Sequence, residues 1–413
     1  MLEDVAHFIG NHGSNLSKME RGAISFPVDV VRAIKTALDV EWLPIYEHER
    51  APFKERMLAW YDDIADNNLE EAKKMQPEFA KIKYLPIEED FNILYDLFSC
   101  RLHIKLGEKE VAEEIFQRLG NIENNATEES MLGQYYYYFT KTSLEMADGR
   151  DKEALESAKK AKVFLRDGTT DRKERKRLAY ITALCYGNLG SIGYVISTLE
   201  DVQPLCSGKH ENFIEYYIDI FLAKNYIVAG NLRRANILAK ECYKTATSSG
   251  NKNDLTSVLL VMGFLHRKAK RWSFALDYVN EVIPLCDKES ANYLEAIYQK
   301  LHCYMDTSDY SKCPALIQEG KRFSALNERE TYKVMFKSVE CLLSLNVEGS
   351  IDYLENIALP YLEKEKAYGL VIDYSEILIA YYEKGKGHMA RMLVRTMALR
   401  NIYNKILEGS YGG

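Results

Sequence analysis

The feature that most constrains the fold is a repeat of about 40 residues that runs along the chain. Each unit reads as an amphipathic helix, a small polar turn and a second amphipathic helix, without the alternation typical of β-strands. The pattern is clearest at 101–119, 143–161, 225–243 and 264–282. Because one helical hairpin cannot bury its apolar face alone, repeated hairpins have to stack on one another. The sequence therefore predicts an all-α array.

Two fixed positions within the repeat hold small residues. One is an alanine at the start of each second helix, and the other lies 12 residues before it. The alanines are Ala112, Ala154, Ala235 and Ala275, and their partners are Cys100, Thr142, Ala223 and Gly263. Small residues at these positions let the two helices of a hairpin approach closely, while larger side chains fill the space between hairpins. This is a tetratricopeptide-like signature, and it predicts a right-handed superhelix of such hairpins over residues 51–413.

Residues typical of helix ends divide this region into about nine hairpins. Glycine is favoured there because a helix often ends with one residue in the left-handed conformation. We expect turns near Asn68, Gly107, Gly149, Gly190, Gly230, Lys270, Ser308, Glu348 and Gly385.

Composition excludes several classes of protein. The 413 residues include 54 Lys+Arg and 61 Asp+Glu, for a net charge of −7, and 47% are hydrophobic. Such a chain is neither disordered nor suited to coating nucleic acid non-specifically. No apolar run reaches the roughly 20 residues that cross a bilayer. The eight cysteines form no CxxC pair and no zinc-type spacing with histidine. We expect reduced thiols and a cytosolic protein.

No motif of an enzyme active site occurs in the sequence. The phosphate-binding GxxxxGK[ST] loop, HExxH and GxSxG are all absent, the histidines are dispersed, and the carboxylates lie on amphipathic helices. We expect no catalysis, no cofactor and no metal site.

Residues 1–50 depart from the repeat and predict a small module of short helices. Gly10 begins a tight turn, His12 starts a second helix that Gly22 ends, and Ser25 caps a third helix. Two short helices that meet at a glycine turn are the geometry that places the second helix in a DNA major groove. The pattern predicts an N-terminal helix-turn-helix domain.

The segment SKMERG at 17–22 matches the pattern S-x-[IVLM]-E-x-G, and with LEDVA before it and FPVDVV after it resembles a phage-repressor helix-turn-helix. Followed by tetratricopeptide-like repeats over the rest of the chain, this module resembles the RRNPP peptide-pheromone receptors of Gram-positive bacteria and their phages, NprR-, Rgg- and arbitrium-receptor-like proteins among them. The resemblance implies a homodimeric transcription regulator that binds double-stranded operator DNA through residues 1–50. It also implies a short linear signalling peptide bound within the superhelix of 51–413.

Two features of the module depart from the family pattern. Family members carry another helix, often basic, before the segment that here begins LEDVA, so the resemblance implies that the module lacks its first helix. Residues 1–50 also hold five Lys/Arg against eight Asp/Glu. Weakened or lost DNA binding is therefore an alternative.

In the resembled module, the start and outer face of the second helix contact DNA. Carried onto this chain, these positions are His12, Ser14, Asn15 and Lys18. Asn can pair with adenine edges, Ser and His with base edges or phosphate, and Lys with phosphate or guanine. The alternative is an ordinary solvated helix face.

Helix periodicity also selects the side chains that face the inner surface of the superhelix. A short peptide needs amides for its backbone, a cation for its terminal carboxylate and apolar pockets. We predict Asn188 and Asn225 for backbone pairing, Lys224 and Arg267 for the carboxylate, Tyr180, Tyr217, Phe264 and Tyr298 for pockets, and His302 as a further inward residue. The alternative is that they are ordinary solvated or inter-repeat residues.

The sequence leaves more than one function open. The first hypothesis is a quorum-sensing transcription regulator, with a dimer contact through apolar positions of the last repeats (Ile377, Leu378, Tyr381, Met389, Met392 and Leu393). The second is a Rap-like protein that sequesters or dephosphorylates a response regulator without binding DNA. A third is a phage arbitrium receptor that controls lysis and lysogeny.

Overall fold

Helices make up nearly all of the part of the chain that the computed structural model describes. This part comprises residues 13–20, 47–80, 89–120, 128–165, 171–207, 213–326, 328–344, 347–365, 367–384 and 389–408, and none of it is β-strand. The predicted all-α class is confirmed. The chain divides into two compact units, Met1–Asp148 with Lys160–Phe164 and Gly149–Lys159 with Leu165–Gly413.

The first unit contains six described helices. They are α1 (Gly13–Glu20), α2 (Glu47–Ala65), α3 (Leu69–Ala80), α4 (Glu89–Leu106), α5 (Lys109–Leu119) and α6 (Glu128–Ala147). Its core is aromatic, with Trp60 stacked on Phe79 at 5.1 Å between ring centroids. The tyrosine run 135–138 on α6 is buried as well. The predicted boundary of a DNA-binding domain after residue 50 falls within α2, and the division into domains stays a prediction.

The second unit is also built of helical hairpins. Helix α7 (Asp151–Val163) begins in this unit, and its residues from Lys160 onward belong to the first unit. The other helices of the second unit are α8 (Asp171–Asn188), α9 (Ile192–Glu200), α10 (Phe213–Val228), α11 (Leu232–Ser249), α12 (Lys252–Lys268), α13 (Trp272–Val282), α14 (Ala291–Asp306), α15 (Cys313–Leu326), α16 (Glu330–Leu342), α17 (Val347–Tyr353), α18 (Leu359–Lys364), α19 (Tyr368–Lys384) and α20 (Met389–Glu408). From α8 to α15, first and second helices alternate, and each first helix also packs on the next first helix.

Within the described residues, the turns inside the hairpins fall at or close to the positions predicted from the sequence. Gly107, Gly149, Gly190 and Gly230 have positive φ, and so do Asn67, Lys270 and Ser308. The turns at Gly190, Gly230, Lys270 and Ser308 carry the same pair of backbone hydrogen bonds. At Gly230, the Gly230 N–H donates to the Ile227 carbonyl and the Asn231 N–H donates to the Tyr226 carbonyl. These are the bonds that close a left-handed helix end. The turn predicted near Glu348 lies a few residues earlier, after α16 ends at Leu342 and before α17 begins at Val347, and Gly385 lies outside the described residues.

Within a unit, the small residues of the repeat lie where the first and second helices of a hairpin pack together: Cys100 and Ala112 share one core cluster, and Ala223 and Ala235 share another. The four alanines and the partners Cys100, Thr142 and Ala223 are completely buried. A Cβ atom on Gly263 would lie 2.8 Å from both Val279 Cγ2 and Gln299 Oε1. The predicted close approach is confirmed.

A ladder of ring contacts braces the hairpins near their turns. In each case a side chain near the end of the first helix meets the residue eight positions later, at the start of the second helix. The pairs are Tyr186–Tyr194 at 5.1 Å, Tyr226–Arg234 at 5.6 Å, His266–Phe274 at 5.5 Å and Tyr304–Lys312 at 4.7 Å, measured to ring centroids. At this position of the repeat, two hairpins therefore use a contact between two rings and two use a cation–π contact.

The last helices of the second unit pack back onto its earlier hairpins. One apolar cluster joins Ile192 of α9 to Tyr374 of α19 and Leu399 of α20, with Val228 at the end of α10 packed against it. Leu378 is buried in this cluster and Ile377 packs against it. Leu378 is therefore internal, and the prediction that it forms a dimer contact is wrong, whereas Ile377 is only partly buried and its predicted contact stays a prediction. Leu393 is exposed, as are its neighbours Val394 and Met397.

The cysteines are free thiols, and five of the eight are buried. Among the described helices, none combines the length and the apolar character that a membrane span requires.

Candidate functional site

The predicted inward positions of α8 and α10 form an aromatic cluster. The Tyr180 and Tyr217 rings meet edge to face at 6.3 Å, and Phe221 lies 6.1 Å from Tyr180. Phe213, at the start of α10, approaches Tyr217 to 4.3 Å. All four rings are only partly buried. Successive first helices thus bring together an aromatic surface that still reaches solvent.

The start of α12 adds a carboxylate to this cluster. The Tyr217 hydroxyl donates to Asp254 Oδ1 at 3.1 Å, and the Tyr216 hydroxyl donates to the Asp254 backbone carbonyl at 2.6 Å. Partial burial raises the pKa of Asp254, and the bond from Tyr217 opposes this rise. Sequence reasoning missed Asp254 because its position lies in the first turn of the helix, outside the inward register.

The two predicted asparagines have different surroundings. Asn225 is buried, and its side-chain Nδ2 donates to the Phe221 carbonyl at 2.8 Å, which leaves the amide oxygen to accept a further bond. Asn188 is exposed and donates to Asp151 Oδ1 at 2.8 Å. Lys224 is exposed beside Asn225. Asn225 and Lys224 therefore lie one turn of helix from the aromatic cluster, while Asn188 pairs with the preceding hairpin.

The remaining predicted residues gather at the ends of α12 and α14. Arg267 and Lys268 lie over the Phe264 ring, at 5.7 and 5.8 Å from its centroid. On α14, the Tyr298 and His302 rings meet at 4.4 Å. These positions thus lie near one another on two first helices, and their role in binding a peptide stays a prediction.

Helix α19 covers this second group. Lys268 Nζ lies 2.6 Å from Asp373 Oδ1, and Arg267 lies 3.8 Å from Asp373 Oδ2. The Tyr298 and Tyr374 hydroxyls are 3.0 Å apart. Both Tyr298 and His302 are buried, so the expectation that they line an open surface is wrong. Asp373 and Tyr374 were missed because nothing in the local pattern relates α19 to helices about a hundred residues earlier.

Burial also sets the charge of these groups. Desolvation, with the cations Arg267 and Lys268 close by, holds the pKa of His302 well below its usual value, so the imidazole is neutral. Desolvation raises the pKa of Tyr298 well above its usual value. The charged groups here are thus the cations Arg267 and Lys268, the Asp373 carboxylate and the Asp306 carboxylate at the end of α14.

The predicted DNA-contacting residues fall in α1 or just before it. Gly13–Glu20 is helical, as predicted for the second helix of the module, and its Ser14 and Lys18 side chains are exposed on one face. Asn15 is partly exposed, and His12 lies outside the described residues.

No protein-family model matches the chain. It is 23% identical over 380 residues to the transcriptional activator NprA of Geobacillus stearothermophilus, covering 90% of this chain and 92% of NprA. It is 25% identical over 295 residues to the regulatory protein RapD of Bacillus subtilis (strain 168), covering 70% of this chain and 81% of RapD.

Solved structures share the fold. A Rap protein complexed with competence and sporulation factor superposes with a TM-score of 0.67 at 16% identity, covering 86% of this chain and 98% of the other. NprR in complex with its cognate peptide NprX superposes with a TM-score of 0.62 at 18% identity, covering 84% and 99%.

The chain is thus a helical-repeat protein of the tetratricopeptide-like class. In sequence and fold it is similar to the NprA-, NprR- and Rap-type regulators, which confirms its resemblance to the RRNPP peptide-pheromone receptors.

Proposed function

We propose that this protein is a cytosolic, homodimeric transcription regulator that binds a short signalling peptide in its second unit and operator DNA through residues 1–50. The observation that carries the proposal is the surface shared by α8, α10 and α12. It combines partly exposed rings, the carboxylate of Asp254 and the amide of Asn225 within neighbouring first helices. Apolar pockets next to hydrogen-bonding groups are what an extended peptide requires.

Peptide binding would regulate DNA binding by shifting a conformational equilibrium. The peptide favours one arrangement of the hairpins only if it binds that arrangement more tightly than the other. In a dimer, a change in the hairpins alters the spacing of the two N-terminal modules, and operator half-sites one helical turn apart require a defined spacing. The exposed Leu393, Val394 and Met397 of α20 supply an apolar surface for the dimer contact.

The Rap-like function is the second candidate, and the similarity to RapD supports it. In that case the chain binds a response-regulator partner, and the acidic residues 1–50 have no role on DNA. An arbitrium-type role in a phage is a variant of the first proposal, with the same two ligands.

Two substitutions separate the DNA-binding and peptide-binding roles. Lys18→Ala should weaken binding to operator DNA and make its salt dependence shallower, because one phosphate contact is lost.

Asn225→Ala should spare DNA binding and cost roughly 1–3 kcal/mol of peptide affinity, because a buried hydrogen-bond partner is removed. The measurements are gel shifts on captured genomic fragments and calorimetry with peptides from short secreted reading frames beside the gene.

Matched variants control for general effects. Lys73→Ala removes an exposed cation from α3, and Asn292→Ala removes an exposed amide from α14. DNA affinity that does not change at saturating peptide would contradict the switch. If no genomic fragment binds while a response regulator is captured, the Rap-like function replaces the first proposal.

A further inference from the structure

Helix α12 ends in two adjacent cations that face a carboxylate far along the chain. Lys268 Nζ and Asp373 Oδ1 are 2.6 Å apart, across 105 positions of sequence. The C-terminal end of a helix favours cations, because its unpaired carbonyls carry partial negative charge. The helix end therefore stabilises Arg267 and Lys268 as cations, and in this structure the anion that they face is Asp373.

Asp373 satisfies only part of this site. Its Oδ2 lies 3.8 Å from the Arg267 guanidinium, which is beyond hydrogen-bonding distance. Arg267 Nε and His302 Nε2 are buried without a hydrogen-bond partner among the described residues. A guanidinium binds a carboxylate best through two parallel N–H bonds. The site thus has donor capacity that Asp373 does not use.

The ion pair between Lys268 and Asp373 is partly exposed to solvent on one side, where another anion can replace Asp373. The Lys268 and Asp373 side chains are 33% and 21% exposed, whereas Arg267 is only 11% exposed. The neighbouring Tyr374 is completely buried, and its hydroxyl bonds to Tyr298 and to the Met335 carbonyl at 3.4 Å. Asp373 can therefore turn toward solvent while Tyr374 keeps α19 in place.

We propose that Arg267 and Lys268 form a carboxylate-binding site for the ligand and that Asp373 is the internal competitor which occupies it in the free protein. The site takes a free carboxylate, such as the C-terminus of a peptide, when the Asp373 side chain rotates away. The proposal rests on the function proposed above and adds a residue, Asp373, that sets how strongly a free carboxylate is preferred over an amide.

The test compares two peptide libraries on three proteins. The probes are a randomised heptapeptide library with free carboxyl termini and the same library with amidated termini. Asp373→Asn should retain roughly three to ten times more free-acid peptide than the wild type, since the competing charge is gone. Retention of amidated peptides should not change. Glu376→Gln, an exposed carboxylate on the same helix, is the control and should match the wild type.

Acetate gives a second readout that needs no peptide. At equal ionic strength, acetate in place of chloride should raise the Tm of Asp373→Asn more than the Tm of Glu376→Gln, and Lys268→Met should remove this difference. Equal gains for acid and amidated libraries, or no acetate effect, would overturn the carboxylate site even if peptides bind. An acetate effect without any retained peptide would support the carboxylate site and count against the peptide-receptor function.

Discussion

At the scale of single residues, one buried ion pair joins two first helices of the second unit. Lys176 of α8 lies 2.5 Å from Glu215 of α10, and both side chains are almost fully buried. Glu215 also accepts the Ser207 N–H and hydroxyl at 3.1 and 2.8 Å. Burial raises the pKa of Glu215, but the bonds from Lys176 and Ser207 outweigh it and lower the pKa overall.

Removing the lysine should leave an uncompensated buried charge. Lys176→Met is expected to cost about 3–5 kcal/mol of unfolding free energy at neutral pH. A lowered carboxyl pKa stabilises the folded state above the ordinary value of 4.5, so the difference from wild type should narrow as the pH falls below it. Denaturant titrations at several pH values measure this. Arg172→Met, an exposed cation on the same helix, should change stability little, and an equal loss there would refute the account.

At the scale of elements, the hairpin turn sets where each helix ends. Gly230 has φ +79°, and a Cβ added there would meet no atom within 4 Å, so only the backbone conformation disfavours a larger residue. Lys270 occupies the same position of the next hairpin with φ 58° and already carries a side chain. The repeat therefore tolerates the backbone strain of a left-handed lysine at Lys270, whereas glycine avoids this strain at Gly230.

This difference predicts unequal effects of alanine at two equivalent turns. Gly230→Ala should lower the unfolding free energy by about 1–2 kcal/mol, the cost of a Cβ in the left-handed region. Lys270→Ala should be nearly neutral, because its Cβ is already present. Chemical denaturation of both variants compares them directly. A neutral Gly230→Ala would mean that this turn relaxes to another conformation.

At the scale of the second unit, residues from distant hairpins share one core. Ile192 of α9 and Leu399 of α20 are both buried in the cluster that contains Tyr374. Packing of this kind couples the start of the unit to its end, unlike an open array in which each hairpin contacts only its neighbours.

A double-mutant cycle tests the coupling. Ile192→Ala and Leu399→Ala should each cost roughly 2–5 kcal/mol, and their effects should depart from additivity by about 0.5–3 kcal/mol. Met397→Ala, at an exposed position of the same helix, should be almost silent. Strict additivity of the two core substitutions would show that the two ends do not share a core in solution.

Local chemistry was enough to predict the helices, most of the turns and the close-packed positions of the repeat. The helix ends at Gly230 through two local bonds, from the Gly230 N–H to the Ile227 carbonyl and from the Asn231 N–H to the Tyr226 carbonyl, and Ala235 lies in one core cluster with Ala223 of the same hairpin. Because these contacts join residues close together in the sequence, the spacing of small and apolar side chains is enough to predict them. The aromatic surface of Tyr180 and Tyr217 could be predicted for the same reason, because it joins neighbouring repeats.

Tertiary packing alone decided which of the inward side chains stay accessible. Tyr298 meets Tyr374 across 76 positions, and Lys268 meets Asp373 across 105. Whether such residues meet depends on small rotations that accumulate from hairpin to hairpin. The helical period predicts which face of a helix turns inward. It does not predict whether a helix from a distant repeat covers that face.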